Sequence, residues 1–140
     1  MLSLRLVLDT NVVVSAALKP EGLPRTVLLL AMTRPSHWYV SNAILSEYST
    51  VLARPEFKIG KSRRQRLVQL IRNHTRLVIP SPLDQITVDP ADNIFIECAD
   101  AARADYLVTG NQRHFPKFWK NTKIINSREF LTIITPHLIG

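Results

Sequence analysis

The sequence predicts an α/β sandwich with a mainly parallel central sheet. Short apolar runs typical of buried strands alternate with segments whose apolar residues recur at helical spacing. Gly, Pro, Asn or Asp residues stand between the two kinds of segment. The chain has 140 residues, of which 46% are hydrophobic, and it contains no repeat or low-complexity tract. That length can bury one core, so we expect a single domain over residues 1–140.

The elements of the first half follow from apolar patterns, helix caps and helix breakers. The predicted elements are a strand over 4–8, a helix from about 11 to 18, a helix over 25–33, a strand over 38–40 and a helix from about 42 to 53. Asn11 and Ser41 are the predicted N-caps of their helices, because both residue types suit that position. Pro, Gly and Pro between residues 19 and 24 indicate a turn, and Arg54-Pro55 ends the third helix.

The second half is predicted to continue the same alternation. The predicted elements are a basic amphipathic helix over 61–75, a strand over 77–79, a helix from Asp89-Pro90 to about 104, a strand over 106–108, a loop over 110–120, a strand over 123–125 and a helix from 127 to about 134. Pro90 suits the first position of a helix and Asp89 the cap before it. Glu97 and Asp100 are expected on the outer face of that helix.

Charge is unevenly distributed along the chain. The formal net charge is +7, with eight basic residues and one acid between Arg54 and Arg76. Between Asp84 and Asp105 there are six acids and one base. The basic segment favours contact with a polyanion such as nucleic acid, and the acidic segment suits cations. Two solvated helix faces of opposite sign explain the same distribution, so charge alone leaves both interpretations open.

Composition argues against several other classes of protein. The longest apolar stretch, Val27–Met32, is far shorter than the roughly 18 residues of a membrane span. No basic head precedes an apolar signal segment, so we expect a cytoplasmic protein without a membrane anchor. Cys98 is the single cysteine and permits no internal disulfide. The four histidines form no recognisable zinc pattern, and no Gly-rich phosphate loop follows the first strand.

Three separated carboxylates are candidates for a cation site. Asp9 follows the first strand, and sites in parallel sheets lie beyond the carboxyl ends of strands, where the turn at Thr109 also falls. Glu47 lies on or beside the helix stripe that faces the protein, where an unpaired carboxylate is costly to bury. Asp92 lies in the first turn of its helix. Each also has a structural explanation, namely a polar turn for Asp9, a surface position for Glu47 and helix-dipole stabilisation for Asp92.

Four segments carry a resemblance to a known family. They are VLDTNVVVSA, SNAILSEYSTVLARPEF, DPADNIFIECADAARADYLVTGNQRHFP and IINSREFL. In this order, over nearly the whole chain, they resemble the PIN-domain family and in particular the small bacterial VapC-like toxins. The resemblance implies a three-layer α/β/α sandwich with a parallel five-stranded sheet. It also implies Mg²⁺- or Mn²⁺-dependent cleavage of single-stranded RNA by a toxin that forms homodimers and pairs with a separate antitoxin chain.

The resemblance also implies which residues form the site. Asp9, Glu47 and Asp92 match the three acidic positions, as direct or water-mediated metal ligands. Asn111 falls where many members carry a fourth aspartate and would be a neutral ligand or position a water. Asn11 is expected to orient Asp9, and Thr109 to support the site. A cation held by such carboxylates offsets the repulsion between a phosphodiester and hydroxide, and without it the carboxylates would raise one another's pKa.

Basic and aromatic residues near the predicted site suggest contacts to RNA. The predicted backbone contacts are Arg113, His114, Lys117 and Lys120, although a solvated surface explains each of them singly. Trp38 and Trp119 are candidates for base stacking or for core packing.

Two other functions remain open from the sequence. The amide at Asn111 removes one charge from the family's acidic set, which keeps open a PIN-like module that binds RNA or protein with weak or no catalysis. Phosphatase activity on small phosphate esters is a third hypothesis.

Overall fold

The computed structural model describes residues 3–139, and for Ile139 the backbone alone. Along these residues the elements are β1 (Leu4–Leu8), α1 (Thr10–Leu18), α2 (Leu23–Ala31), β2 (Ser36–Val40), α3 (Asn42–Leu52), α4 (Lys61–Asn73), β3 (Thr75–Leu77), α5 (Asn93–Ala102), β4 (Tyr106–Val108), β5 (Phe118–Trp119), β6 (Thr122–Ile125) and α6 (Ser127–Ile139). Short 3-10 helices cover Pro55–Phe57, Pro90–Asp92 and Gln112–His114.

The helices flank one sheet of six strands in the order β3-β2-β1-β4-β6-β5. The first five strands of this order pair in parallel, and β5 pairs antiparallel with β6. The predicted α/β architecture with a mainly parallel sheet is therefore confirmed. The five expected parallel strands are present, and the sixth strand is the two-residue β5 within the expected loop over 110–120. Two residues are too few to show a strand pattern in the sequence.

Two boundaries differ from the prediction for identifiable reasons. The strand expected over 77–79 is Thr75–Leu77, because its pairing with β2 ends where Val40 meets Leu77. Ile79 lies beyond the sheet and is 90% exposed. α6 continues past the predicted end near residue 134 to Ile139, with Pro136 inside it. A proline removes one helical hydrogen bond, and here the helix continues past it despite that loss.

The core lies between the sheet and the helices packed on it. α5 packs against β1, β2 and β4, while α3 packs against α1 and α4. The largest fully buried side chains include Trp38, Tyr48 and Phe95, which come from β2, α3 and α5. The Tyr48 hydroxyl donates a hydrogen bond to the carbonyl of Leu8, which joins α3 to the last residue of β1.

Within residues 3–139, none of the helices combines the length and the apolar character that crossing a membrane requires.

Candidate functional site

The carboxyl ends of β1 and β4 meet at one edge of the sheet. The two strands pair in parallel with Leu8 opposite Val108, so Asp9 and Thr109 follow them side by side. The Asp9 amide donates to the Val108 carbonyl at 2.9 Å, which extends the pairing into this turn. The sequence-based expectation that Asp9 and the turn at Thr109 are neighbours is thus confirmed.

The Asp9 side chain is held by two hydrogen bonds. One carboxylate oxygen accepts from the backbone amide of Thr10 at 2.8 Å, and the other accepts from the Thr109 hydroxyl at 2.7 Å. Asp9 is only 5% exposed and is itself the N-cap of α1. The prediction that Asn11 caps this helix was wrong. Its side-chain oxygen instead accepts from the Gly110 amide at 3.0 Å, which joins α1 to the turn after β4.

The four predicted catalytic residues line one pocket of about 400 Å³. Asp9 follows β1, Glu47 lies on α3, Asp92 ends the 3-10 helix before α5, and Asn111 lies in the turn after β4. Glu47 is half-buried, which agrees with its predicted place beside the apolar stripe of α3. Ser41 caps that helix as predicted, its hydroxyl accepting from the Ile44 amide. Residues distant in sequence are therefore brought to a single concavity.

Burial and neighbouring carboxylates shift the ionisation of this pocket. The pKa of Asp9 is raised to about 6, first by burial and less by the charges of Asp92 and Glu47, against the lowering effect of its two hydrogen bonds. The pKa of Asp92 is also raised, first by burial and then by the charge of Asp89. The His114 ring nitrogen lies 3.2 Å from Asp92 and opposes that rise. The pocket therefore gathers carboxylates next to Asp9, whose charged form is disfavoured by burial.

The spacing of the pocket carboxylates bears on whether they could hold a metal ion. Among residues 3–139, no three His, Cys, Asp or Glu side chains are close enough together to form a complete metal-binding cluster. The oxygen donors of Asp9, Glu47 and Asp92 nevertheless share one pocket. After burial, the charges of Asp92 and Glu47 also contribute to the raised pKa of Asp9. Oxygen donors of this kind fit a hard divalent cation that keeps part of its water shell.

The loop before α5 is fixed by a residue that sequence reasoning missed. Asn93 is 8% exposed, and its side-chain oxygen accepts from the Ile86 amide at 2.8 Å. Its side-chain nitrogen donates to the Asp84 carbonyl at 3.3 Å. Asp89 then caps the 3-10 helix as predicted, accepting from the Ala91 amide at 3.0 Å. A polar residue just before the apolar run Ile94–Ile96 was the available signal.

Glu97 and Asp100 form more contacts with the rest of the protein than side chains on an outer helix face would. Glu97 accepts from the Leu83 amide at 2.8 Å, so it also holds the loop before α5. Asp100 accepts from the Trp119 indole at 3.1 Å and pairs with Lys120 at 2.8 Å. Both side chains are half-buried, and the expectation of an outer face was wrong in this respect.

The predicted RNA contacts lie in different places. His114 lines the pocket, and Arg113 and Lys117 are exposed in the segment between β4 and β6. Lys120 lies in the turn between β5 and β6, at the amino ends of the parallel strands and away from Asp9.

The two tryptophans face the protein rather than solvent. Trp38 is fully buried in the core, so it cannot stack on bases of a bound RNA. Trp119 is half-buried and its indole is bonded to Asp100.

Several residues that line the pocket are not assigned to it by the sequence. The sequence places Arg54 in the basic segment and at the end of the third helix and gives Phe57 no role, yet both line the pocket with Asp9.

Comparisons with known proteins agree with this fold. An uncharacterised protein of Methanocaldococcus jannaschii, MJ1680, is 28% identical over 114 residues, which cover 79% of this chain and 73% of that protein. The fold is similar to a crystal structure of VapBC2 from Rickettsia felis bound to a DNA fragment from its promoter. The TM-score is 0.61 at 20% identity, covering 88% of this chain and 98% of the other.

The sequence also matches a family directly. Residues 5–113 match the PIN domain, and this range contains Asp9, Glu47, Asp92 and Asn111. The match spans β1 to the turn after β4, which are the elements that build the pocket. The chain therefore belongs to the PIN-domain family.

Proposed function

We propose that this PIN domain is a metal-dependent endoribonuclease that hydrolyses phosphodiester bonds in single-stranded RNA. PIN domains are generally nucleases that use divalent metal ions. The observation that carries the proposal is the shared pocket of Asp9, Glu47 and Asp92, in which burial and then the two neighbouring charges raise the pKa of Asp9. Carboxylates gathered without a cation repel one another, so such a pocket suits a divalent ion.

Each residue of the pocket has a distinct role in this proposal. Asp9, Glu47 and Asp92 would hold Mg²⁺ or Mn²⁺, directly or through water. When bound, the ion would lower the pKa of the attacking water and offset the repulsion between the phosphodiester and the hydroxide that this water yields. Asn111, exposed at the same pocket, would orient the water or offer a neutral oxygen. An amide in place of a fourth carboxylate removes one charge, which favours one ion over a pair.

Activity assays with matched variants test this function. Purified protein is given single-stranded RNA with Mn²⁺ or with EDTA, and the Asp9→Asn variant is given RNA with Mn²⁺. We expect cleavage only by the wild type with Mn²⁺. Asp84→Asn is the control, because Asp84 is exposed and outside the pocket, and this variant should cleave normally. Equal cleavage under all conditions would identify a contaminating nuclease and contradict the proposal.

We further propose that the chain is a cytoplasmic, homodimeric toxin that a separate antitoxin chain inhibits. The similarity of its fold to VapBC2 supports this role. Expression of the wild-type chain should arrest growth of a bacterial host, whereas expression of Asp9→Asn should not. If the wild type and Asp9→Asn both arrest growth, the toxicity does not depend on the carboxylate pocket.

A second candidate function is RNA or protein binding with weak or no catalysis. Asn111 and the lack of a three-residue metal cluster within residues 3–139 favour it. Calorimetry that detects no binding of Mg²⁺ or Mn²⁺, even with RNA present, would support this alternative against the nuclease.

A further inference from the structure

One side of the carboxylate pocket is apolar and carries a single arginine. Val14 and Leu18 come from α1, Val51 comes from α3, and Phe57 comes from the short 3-10 helix that follows. Arg54 lies between Val51 and Phe57 in sequence and lines the same space. Val14 and Val51 are 7% exposed and belong to the core, whereas Leu18 is 40% exposed and Phe57 is half-buried, so Leu18 and Phe57 supply most of the apolar surface at the pocket. A cation held by carboxylates makes no use of this apolar wall.

The chain turns sharply after α3, and this turn presents Arg54 and Phe57 to the pocket. The residue before a proline disfavours helical geometry, Arg54 is extended, and residues Pro55–Phe57 form a 3-10 turn. Lys58 closes the turn in the left-handed conformation, with φ of 54°, and its amide donates to the Pro55 carbonyl. Ile59 follows and is 5% exposed, which anchors the turn to the core. The position of Phe57 is therefore set by backbone geometry on both sides.

The Arg54 side chain is available for an anion. Among residues 3–139, its guanidinium takes part in neither of the two ion pairs and in no side-chain hydrogen bond, and the residue is exposed. Among the described residues that line the pocket, four carry carboxylates, namely Asp9, Glu47, Asp89 and Asp92, and Arg54 is the one Lys or Arg. A phosphate beside the carboxylates would meet its cationic partner at Arg54.

We infer that this wall is a nucleotide subsite, in which Phe57 and its apolar neighbours receive one unpaired base while Arg54 binds the adjoining phosphate. The inference rests on the proposed function and names the part of the substrate that the pocket recognises. An aromatic ring beside an apolar surface offers a stacking face that every base can use, and a guanidinium offers paired donors to phosphate oxygens. A base in a duplex is not available for stacking, so the subsite selects single strands. A small phosphate ester without a base would leave the apolar wall uncovered.

Binding measurements without cleavage test the subsite. Fluorescence anisotropy would compare a labelled single-stranded RNA with an abasic ribose-phosphate chain of the same length, both in EDTA. We expect the wild type to bind the RNA about tenfold more tightly than the abasic chain, as one stacked base allows. Phe57→Ala should abolish this preference, whereas Phe57→Leu should keep the apolar contact and part of the preference. Arg54→Gln should weaken binding of the RNA and of the abasic chain equally. Arg54→Lys should retain part of the affinity that Arg54→Gln loses.

Matched controls come from the same chain. Phe118 is 65% exposed on the edge strand β5, and Arg72 lies on α4 outside the pocket, so Phe118→Ala and Arg72→Gln should leave the preference for RNA unchanged. The thermal unfolding midpoint of each variant shows whether a loss of binding reflects unfolding, and Phe57→Leu remains informative where Phe57→Ala unfolds.

The outcomes separate the subsite from the proposed function. Equal affinity of the wild type for RNA and the abasic chain, or no binding of either, would overturn the subsite. So would a preference for RNA that survives Phe57→Ala. If the protein prefers RNA through Phe57 but never cleaves it with Mn²⁺, the subsite is supported and the nuclease function is contradicted. In a cleaving protein, Phe57→Ala should raise KM with little change in kcat.

Discussion

Asp9 both caps α1 and contributes charge to the pocket, and the second role opposes folding. Its pKa rises from the usual 3.8 to about 6 in the folded protein, mainly through burial. Between these pH values the folded protein holds a proton that the unfolded chain has released. The stability associated with this group is thus fully present below about pH 4 and is lost as the pH rises through about 6.

We expect Asp9→Asn to stabilise the protein in EDTA at pH 7.5 by about 1–3 kcal/mol, because the amide avoids the cost of a buried charge. At pH 4 the variant and the wild type should differ little. Urea unfolding at pH 4, 5.5 and 7.5 measures the effect, with Asp84→Asn as the exposed control. A variant that is less stable than the wild type at every pH would contradict this account.

Thr109 positions Asp9 through its hydroxyl. The residue is fully buried, and its hydroxyl donates to Asp9 at 2.7 Å and accepts from the Asn111 amide at 2.9 Å. We expect Thr109→Val to lower the free energy of unfolding by about 1–3 kcal/mol, since the buried Asp9 carboxylate and the Asn111 amide each lose a hydrogen bond. The variant should also raise the pKa of Asp9 further and reduce the thermal stabilisation that Mn²⁺ provides. Thr109→Ser keeps the hydroxyl and should behave almost as wild type, whereas equal defects in both variants would point to packing instead.

At the scale of elements, α3 carries Glu47 and is attached to β1 beside Asp9. The attachment is the hydrogen bond from the buried Tyr48 hydroxyl to the Leu8 carbonyl. We expect Tyr48→Phe to cost about 1–2 kcal/mol of stability, and to raise the Mn²⁺ concentration needed for half-maximal activity because Glu47 is held less firmly. Tyr39→Phe is the matched control, since Tyr39 is 6% exposed and its hydroxyl forms no hydrogen bond within the described residues. Equal effects of the two substitutions would show that the Tyr48 bond does not position α3.

Elements with their own periodicity could be predicted from the sequence, and contacts that depend on one backbone angle could not. Apolar patterns predict β1 and α3, and parallel pairing then brings Asp9 beside Thr109. Asp and Asn are nearly equal as N-caps, so the sequence could not decide between Asp9 and Asn11. The place of Phe57 depends on the left-handed conformation of Lys58, which no local pattern indicates.

At the scale of the whole molecule, basic residues lie at both ends of the sheet. Lys117 precedes β5 and is exposed, whereas Lys120 lies at the opposite end of β6 and is paired with Asp100. We expect Arg113→Gln and Lys117→Gln to weaken RNA binding and its dependence on salt, because each removes one phosphate contact. Lys120→Gln should leave binding unchanged and alter stability by less than about 1 kcal/mol, as exposed ion pairs do. Binding titrations at several salt concentrations measure both effects, and an equal loss for Lys120→Gln would place RNA elsewhere on the surface.

β1 lies inside the sheet, between β2 and β4, and Asp9 is the first residue after it. Strands in such a position generally expose their amides to deuterium only when the whole protein opens, whereas an edge such as β5 opens locally. We therefore expect the Asp9 carboxylate to keep its place at the end of β1 for as long as the native state lasts. A cation bound at Asp9 would stabilise the native state and lengthen that lifetime. It would therefore slow deuterium exchange at the amides that already exchange most slowly.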